Sequence, residues 1–238
     1  MPFSATSLSL LVGAALLGLT ACKEKLEDCP GQCTIFTGHL VTSGTQPLAG
    51  ATVTAAWHNG YGFSGYAPPR TKARTTTDAQ GNYQLRFYVK DDELHDGYIN
   101  VLYGVDKDRY YALATEDGPD TGSRYVQRDT LYNLPSFLIP RKGFVKLTVP
   151  NPNQIQEEFA VDFTSAQMRS LTVTKAFGGG GPAVGIPKQQ TPFTTLLEVA
   201  ADQKLYVRTS RRLGTVYTRT IDSLQVAAGT TRELTIRY

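Results

Sequence analysis

The chain has 238 residues, with 24 Lys+Arg against 21 Asp+Glu, a formal net charge of +3 and 41% hydrophobic residues. That length suits one large or two small domains with a buried core, and 22 Gly, 13 Pro and 13 Tyr beside one Trp and two Met point to strands and turns rather than a helical bundle. Only the first two dozen residues hold an apolar run approaching membrane length, which excludes a polytopic membrane protein, and three His with three Cys supply few ligands for a metal enzyme.

In chain order, residues 8–19 (LSLLVGAALLGL) form an apolar stretch too short to span a bilayer but suited to the h-region of a secretory signal. Thr20 and Ala21 follow as small residues at a cleavage point, and then Cys22. The run Leu19-Thr20-Ala21-Cys22 resembles the lipobox of bacterial lipoproteins. The resemblance implies that 1–21 is a lipoprotein signal peptide and that Cys22 is the lipidated first mature residue. Several acyl chains together anchor stably where one would be marginal. The n-region departs from the pattern, since Met1 to Ser7 holds no Lys or Arg. Residues 22–34 then form a tether. Its charged run, Lys23 to Asp28, is similar to the acidic export tags of surface lipoproteins in some Gram-negative bacteria, and it equally fits a solvated linker. Cys29 and Cys33 flank a Pro-Gly turn. C-x-x-x-C without a second ligand pair is weak for zinc. In an oxidising envelope a local disulfide suits it, two free thiols being the alternative.

From Thr34 onward hydrophobic residues alternate with polar ones, the period of strands that bury one face. Expected strands cover 35–42, 51–57, 71–77, 82–89, 98–105, 110–115 and 126–139. Val53, Ala55 and Trp57 share one face, as do Tyr83, Leu85, Phe87 and Val89. Pro140-Arg141-Lys142-Gly143 marks a boundary. Further strands are expected at 144–149, 159–163, 171–177, 193–200, 204–210, 215–221 and 231–237. This spacing predicts an all-β protein of two small sandwiches, 35–140 and 141–238. Residues 23–140 carry 11 Lys+Arg and 14 Asp+Glu, and residues 141–238 carry 13 and 7. The second unit is therefore basic, much of the excess coming from Lys204, Arg208, Arg211, Arg212, Arg219, Arg232 and Arg237. Such a face suits an anionic glycan, lipopolysaccharide or an acidic protein, or it is simply the solvated side of its strands. Nucleic acid is a poor match for an exported chain without a recognition motif.

Gly38-His39-Leu40-Val41 leads to Gln46-Pro47-Leu48-Ala49-Gly50-Ala51-Thr52-Val53, and Thr76-Thr77-Asp78-Ala79-Gln80-Gly81-Asn82-Tyr83-Gln84-Leu85 closes the unit. These motifs, over about 35–90, resemble the carboxypeptidase regulatory-like domain of the transthyretin-like type, whose fold would extend to about 140. The resemblance implies a non-catalytic accessory module, like those beside carboxypeptidases and at the N-termini of outer-membrane nutrient receptors. No named motif covers 141–238 beyond a generic immunoglobulin-like sandwich.

Enzyme readings fare poorly on the residues. Transthyretin-like hydroxyisourate hydrolases end in Tyr-Arg-Gly-Ser, whereas this chain ends Thr-Ile-Arg-Tyr. The scattered His39, His58 and His95 do not resemble the iron ligands of intradiol dioxygenases. Neither His-Glu-x-x-His nor a Gly-x-Ser-x-Gly elbow occurs, and the glycine run at 178–181 lacks the Lys-Ser/Thr of a phosphate loop. Strand 35–42 has no lysine for an intramolecular isopeptide bond. Two acidic loops, 91–96 and 116–120, could hold calcium through oxygens, although solvated turns suit them better. The Gly/aromatic loop 58–66 is the first choice for ligand binding. Tyr61, Phe63 and Tyr66, exposed in one patch with Trp57, would stack on sugar rings or partner side chains. The expected function is thus a lipid-anchored, non-catalytic binding or adaptor module of a Gram-negative cell envelope, without cofactor or metal, contacting an outer-membrane protein or glycan. The alternatives are a structural spacer and a hydrolase with an unrecognised site.

Overall fold

The computed structural model describes Leu26, Cys29 and residues 31–59, 69–94, 97–111, 125–167 and 180–238. The first sandwich is built from β1 (Thr34–Thr42), β2 (Gln46–Pro47), β3 (Thr52–His58), β4 (Arg70–Thr76), β5 (Asn82–Phe87), β6 (Tyr98–Gly104), β7 (Leu131–Asn133) and β8 (Phe137–Leu138). One sheet runs β2-β1-β5, with β7 and β8 pairing parallel to β1; the other runs β4-β3-β6. Alternation decides which residues meet between them. Tyr83, Leu85 and Phe87 of β5 face in while Asn82, Gln84 and Arg86 face water, and β6 sends in Ile99, Val101 and Tyr103, all fully buried. Gly38 of β1 lies opposite Tyr83, where any Cβ would run into the phenol ring. That close approach lets the Tyr83 hydroxyl reach the Tyr103 hydroxyl at 2.9 Å. The turn into β5 is closed by Asp78, whose Oδ1 accepts the N–H groups of Gln80 and Asn82, with Gly81 at φ +78° supplying the left-handed residue. These bonds, led by that from Asn82, hold the Asp78 carboxyl below its ordinary range.

The second sandwich comprises β9 (Lys142–Val149), β10 (Glu158–Ser165), β11 (Ala183–Gly185), β12 (Phe193–Ala200), β13 (Lys204–Leu213), β14 (Val216–Gln225) and β15 (Thr231–Thr235). Its sheets run β12-β9-β15 and β11-β10-β13-β14. Val145, Leu147 and Val149 of β9 pack with Phe159, Val161, Phe163, Leu205 and Val207 in a core separate from the first. The chain is all-β, two sandwiches in series, and among the described residues no helix is long and apolar enough to cross a membrane.

Several local expectations give way. The single strand expected at 126–139 is instead two short ones, because Asp129 turns the chain at φ 54° and Pro135 cannot donate to a ladder. At 110–115 only an isolated bridge from Tyr110 to Arg141 forms, residues 112–115 lying outside the described residues, as does 171–177. β14 runs to Gln225, four residues past the expected end. The sandwiches meet in a polar joint. Ser43 Oγ donates to Asp202 Oδ2 at 2.6 Å, and Arg141 donates to Ser43 Oγ at 2.7 Å and pairs with Asp202 at 3.0 Å. Ser43 and Asp202 both hold left-handed backbone, at φ 40° and 58°, a conformation that costs energy for residues other than glycine and persists where the surroundings enforce it. Beside this joint, burial and the Glu198 carboxylate push the Tyr111 hydroxyl up to about 12.

Candidate functional site

The site with the most recognition chemistry is the outer face of the β4-β3-β6 sheet. Pairing of β3 with β6 sets Thr52 opposite Gly104, Thr54 opposite Leu102, Ala56 opposite Asn100 and His58 opposite Tyr98. Since Ile99, Val101 and Tyr103 point into the core, these residues all point away from it. On the other side of β3, Arg74 faces Thr54 and Thr71 faces Ala56. Small side chains at Ala56 and Gly104 hollow the centre of the face, leaving an open cleft of about 540 Å³.

Two groups in this cleft lack partners. Asn100 is only 9% exposed, yet its Oδ1 accepts no hydrogen bond, and His58 Nε2 is likewise buried without a partner. A buried polar atom left unpaired costs about 1–3 kcal/mol, and such exceptions call for a cause. The His58 ring lies flat against Tyr98, at 5.2 Å between centroids and 4° between planes, which fixes its orientation. Arg74 is exposed and pairs with no carboxylate among the described residues. An amide, an imidazole and a free guanidinium thus line one hollow with the Thr54 and Thr71 hydroxyls.

The strand register that creates this face also contains an irregularity. Between Ala55 and Ala56 the pairing with β4 slips by one residue, so that Ala55 faces Ala73, Ala56 faces Thr71, and Lys72 is the extra residue. Lys72 is turned inward, where its Nζ meets Glu93 Oε2 at 2.8 Å, the two side chains being 4% and 0% exposed. Glu93 Oε2 also accepts the Lys90 N–H at 2.9 Å, and Arg70 approaches at 3.5 Å. Asp92 pairs with Arg70 at 2.9 Å and Asp91 with Arg128. The acidic run 91–93 is therefore engaged by cations of its own chain, and no calcium-holding cluster forms among the described residues of this loop; residues 95–96 of the loop and 116–120 lie outside the described residues.

Trp57 does not contribute to an exposed aromatic patch. It is 7% exposed and belongs to the first core, with the Arg70 guanidinium 4.0 Å above its ring, because odd positions of β3 face inward. Tyr61, Phe63 and Tyr66 lie outside the described residues, as does Cys22. Cys29 and Cys33 are joined in a disulfide, with Cα atoms 6.0 Å apart.

The basic residues of the second sandwich do not form one face. Lys204, Arg208, Arg212 and Arg219 lie on the outer side of the β13-β14 ladder, but Arg211 falls on the opposite side by parity. There it stands over Phe159 and Tyr238, 5.5 and 5.3 Å from their centroids. On the outer side β10 places carboxylates across from the cations. Asp162 meets Arg208 at 2.8 Å and Glu158 meets Arg212 at 3.1 Å; the bond that Arg208 donates to Asp162 raises the guanidinium above its ordinary value. Lys204 and Arg219 rest over Tyr206 and Tyr217, and Tyr217 is held below the ordinary phenol range by Ser210 and then Arg219. The excess positive charge is thus divided between two faces and half neutralised on one.

Neither Arg74 nor Asn100 stands out in the sequence, although both lie in expected strands. Their polar alternation was visible; their convergence depends on the register of three strands, which no local pattern displays.

No family model matches the chain and no curated protein matches it. Among solved structures, a streptococcal ancillary pilin is similar at 12% identity and TM-score 0.31, over 88% of this chain and 63% of that one. The shaft pilin SpaA of Lactobacillus rhamnosus GG is similar at 7% identity and TM-score 0.30, over 87% and 97%. A 9R-lipoxygenase from Cyanothece PCC8801 reaches 14% and 0.31, over 49% of this chain and 18% of that one, and the Bacillus anthracis TIE protein is matched over 34% of its length. At these TM-scores none of the likenesses bears on what the chain binds or does.

Proposed function

We propose that this chain is a non-catalytic binding or adaptor module of the bacterial cell envelope. It is held by acyl chains on Cys22, with a carboxypeptidase regulatory-like sandwich over 35–140 and a second sandwich over 141–238. The supporting observation is the outer cleft of the first sandwich. It gathers groups that recognise a ligand by hydrogen bonds and charge, while its described lining contains neither a carboxylate nor a thiol to act as acid, base or nucleophile beside His58. Among the described residues no cluster of three or more His, Cys, Asp or Glu comes together to hold a metal. The membrane is reached through the lipid of Cys22, and the partner is a glycan or an outer-membrane protein. A spacer reading draws on the Ser43–Arg141–Asp202 joint, which fixes one sandwich on the other.

The test is a crosslinked pull-down of the lipidated protein from its own membranes, beside Cys22→Ala. The native protein should carry lipid mass and recover a specific envelope partner, whereas Cys22→Ala should lose the lipid and leave the membrane. Recovery of bulk envelope components alone would favour the spacer, and unchanged membrane retention without lipid mass would remove the anchor.

A further inference from the structure

We infer that the outer cleft of the β4-β3-β6 sheet is a binding site for a saccharide carrying a carboxylate, a uronic-acid type of sugar. The inference rests on the binding-module reading and goes further by assigning the residues and the ligand chemistry. Five features converge on it. Asn100 is nine-tenths buried at the base of the hollow, with its carbonyl unpartnered. Desolvation has already been incurred there, so a ligand that supplies the missing donor recovers most of a hydrogen bond. His58 Nε2 is a second unpartnered buried atom in the same wall. Sugar hydroxyls donate and accept at once, and so match both atoms as well as the hydroxyls of Thr54 and Thr71, which have the same dual character.

Charge selects within the saccharides. Arg74 is the one cation among the described lining residues, and its planar fork matches a carboxylate through two parallel bonds. A dianionic phosphate would meet a single guanidinium and uncharged hydroxyls, and it has few protons to offer the Asn100 carbonyl. A monocarboxylate borne on a polyol uses every group. Ala56 supplies the remaining requirement, since a side chain larger than methyl at this central position would fill the hollow that a sugar ring must enter. The cleft is open rather than enclosed between domains, which suits an internal unit of a longer polymer as well as a free acid.

Calorimetric titration of the detergent-solubilised, lipidated full chain tests this, using galacturonate, trigalacturonate, neutral maltotriose and inorganic phosphate as probes. Uronate should bind, with maltotriose and phosphate at least about tenfold weaker. Tighter binding of the trimer than of galacturonate identifies a polymer as the source, and equal binding a free acidic sugar; either supports the site. Arg74→Met, at an exposed position, should weaken uronate binding about tenfold or more without shifting the unfolding midpoint. Thr54→Val, also outside the core, should weaken it by about twofold to fivefold, the loss of one neutral hydrogen bond. Absence of uronate binding, phosphate or maltotriose binding as tightly as uronate, or an unaltered affinity in Arg74→Met would each overturn the assignment. A specific envelope partner still recovered by Arg74→Met, with no uronate bound by the wild type, would sink this site and leave the adaptor reading standing.

Discussion

The two sandwiches handle charge in opposite ways. The first is acidic in sum, yet its outer cleft presents an arginine that meets no carboxylate among the described residues and a buried amide oxygen without a partner. The second is basic in sum, yet Arg208 and Arg212 are answered across the ladder by Asp162 and Glu158, and Arg211 leans on aromatic rings on the other side. A net charge per domain locates neither site nor partner. What distinguishes a recognition surface is the group left unanswered, and that depends on which residues the register places side by side. The first sandwich also carries an ion pair at 4% and 0% exposure, where a dry environment makes each charge dependent on the other, whereas most pairs of the second are wet and individually worth little.

The strongest test of that contrast removes one member of the dry pair. Glu93→Gln leaves the Lys72 ammonium buried with its main counter-charge gone, and should lower stability by about 3 kcal/mol or more in denaturant unfolding. Replacing both residues together, as Lys72→Met with Glu93→Leu, should recover most of that loss, because apolar groups of similar volume need no partner. A single substitution costing well under 1 kcal/mol would mean that water reaches the pair and that the two sandwiches do not differ in this respect.

Much of the scaffold is legible in the sequence alone. The alternation at 82–87 placed Tyr83, Leu85 and Phe87 in the core, and the motif around Asp78–Gly81 announced the turn that its Oδ1 and positive φ now explain. The candidate site was not legible. Trp57 reads as a lone aromatic beside a Gly-rich loop, and only its parity, shared with Val53 and Ala55, gives its burial away. Lys72 is polar at a position that simple alternation would expose, and a bulge, invisible to a period-two reading, turns it inward. The basic run at 204–212 looked like one face because Arg211 and Arg212 are adjacent, although adjacent strand residues must face opposite ways.

Gly38 offers a second, smaller break within the first sandwich. Gly38→Ala places a methyl group against the Tyr83 ring, and an overfilled core site of this kind costs about 1–3 kcal/mol. Tyr83→Phe retains the packing and removes the hydroxyl with its contact to Tyr103, so it should cost about 1 kcal/mol. Thermal unfolding should rank the two in that order. A reversal would show that the hydroxyl pair, rather than the close approach, governs this face of the core.

The joint between the sandwiches joins their two charge regimes and is expected to contribute less. Burial alone would raise the Asp202 carboxyl, but the Ser43 hydroxyl, the Ala228 N–H and Arg141 together hold it below the ordinary 3.8. Its folded value lies below its unfolded one, so its contribution is complete above the unfolded value and is lost as pH falls through the folded value. Asp202→Asn keeps a side chain that tolerates left-handed backbone while removing the charge. It should cost about 1 kcal/mol at neutral pH, since Arg141 is 43% exposed and the pair is screened. The difference from wild type should close as the solution is acidified past the unfolded value. A gap that persists in acid would assign the effect to shape rather than charge.

The smallest expected effects are those of the wet basic face, and their smallness is the informative outcome. Glu158→Gln releases one bond to Arg212, both side chains being more than half exposed, and should change stability by less than about 0.5 kcal/mol. Lys204→Gln with Arg219→Gln removes two cations that stand over tyrosines, and should leave uronate affinity within about twofold of wild type, since neither belongs to the described lining of the cleft and salt screens exposed charges that do not touch the ligand. Raising salt from low to physiological strength should likewise weaken uronate binding through Arg74 in the same proportion in both proteins. If the double substitution instead weakened binding as much as Arg74→Met, the excess charge of the second sandwich would be steering or holding the ligand, and the contrast between an unanswered group and a mere surplus of charge would fail where it is sharpest.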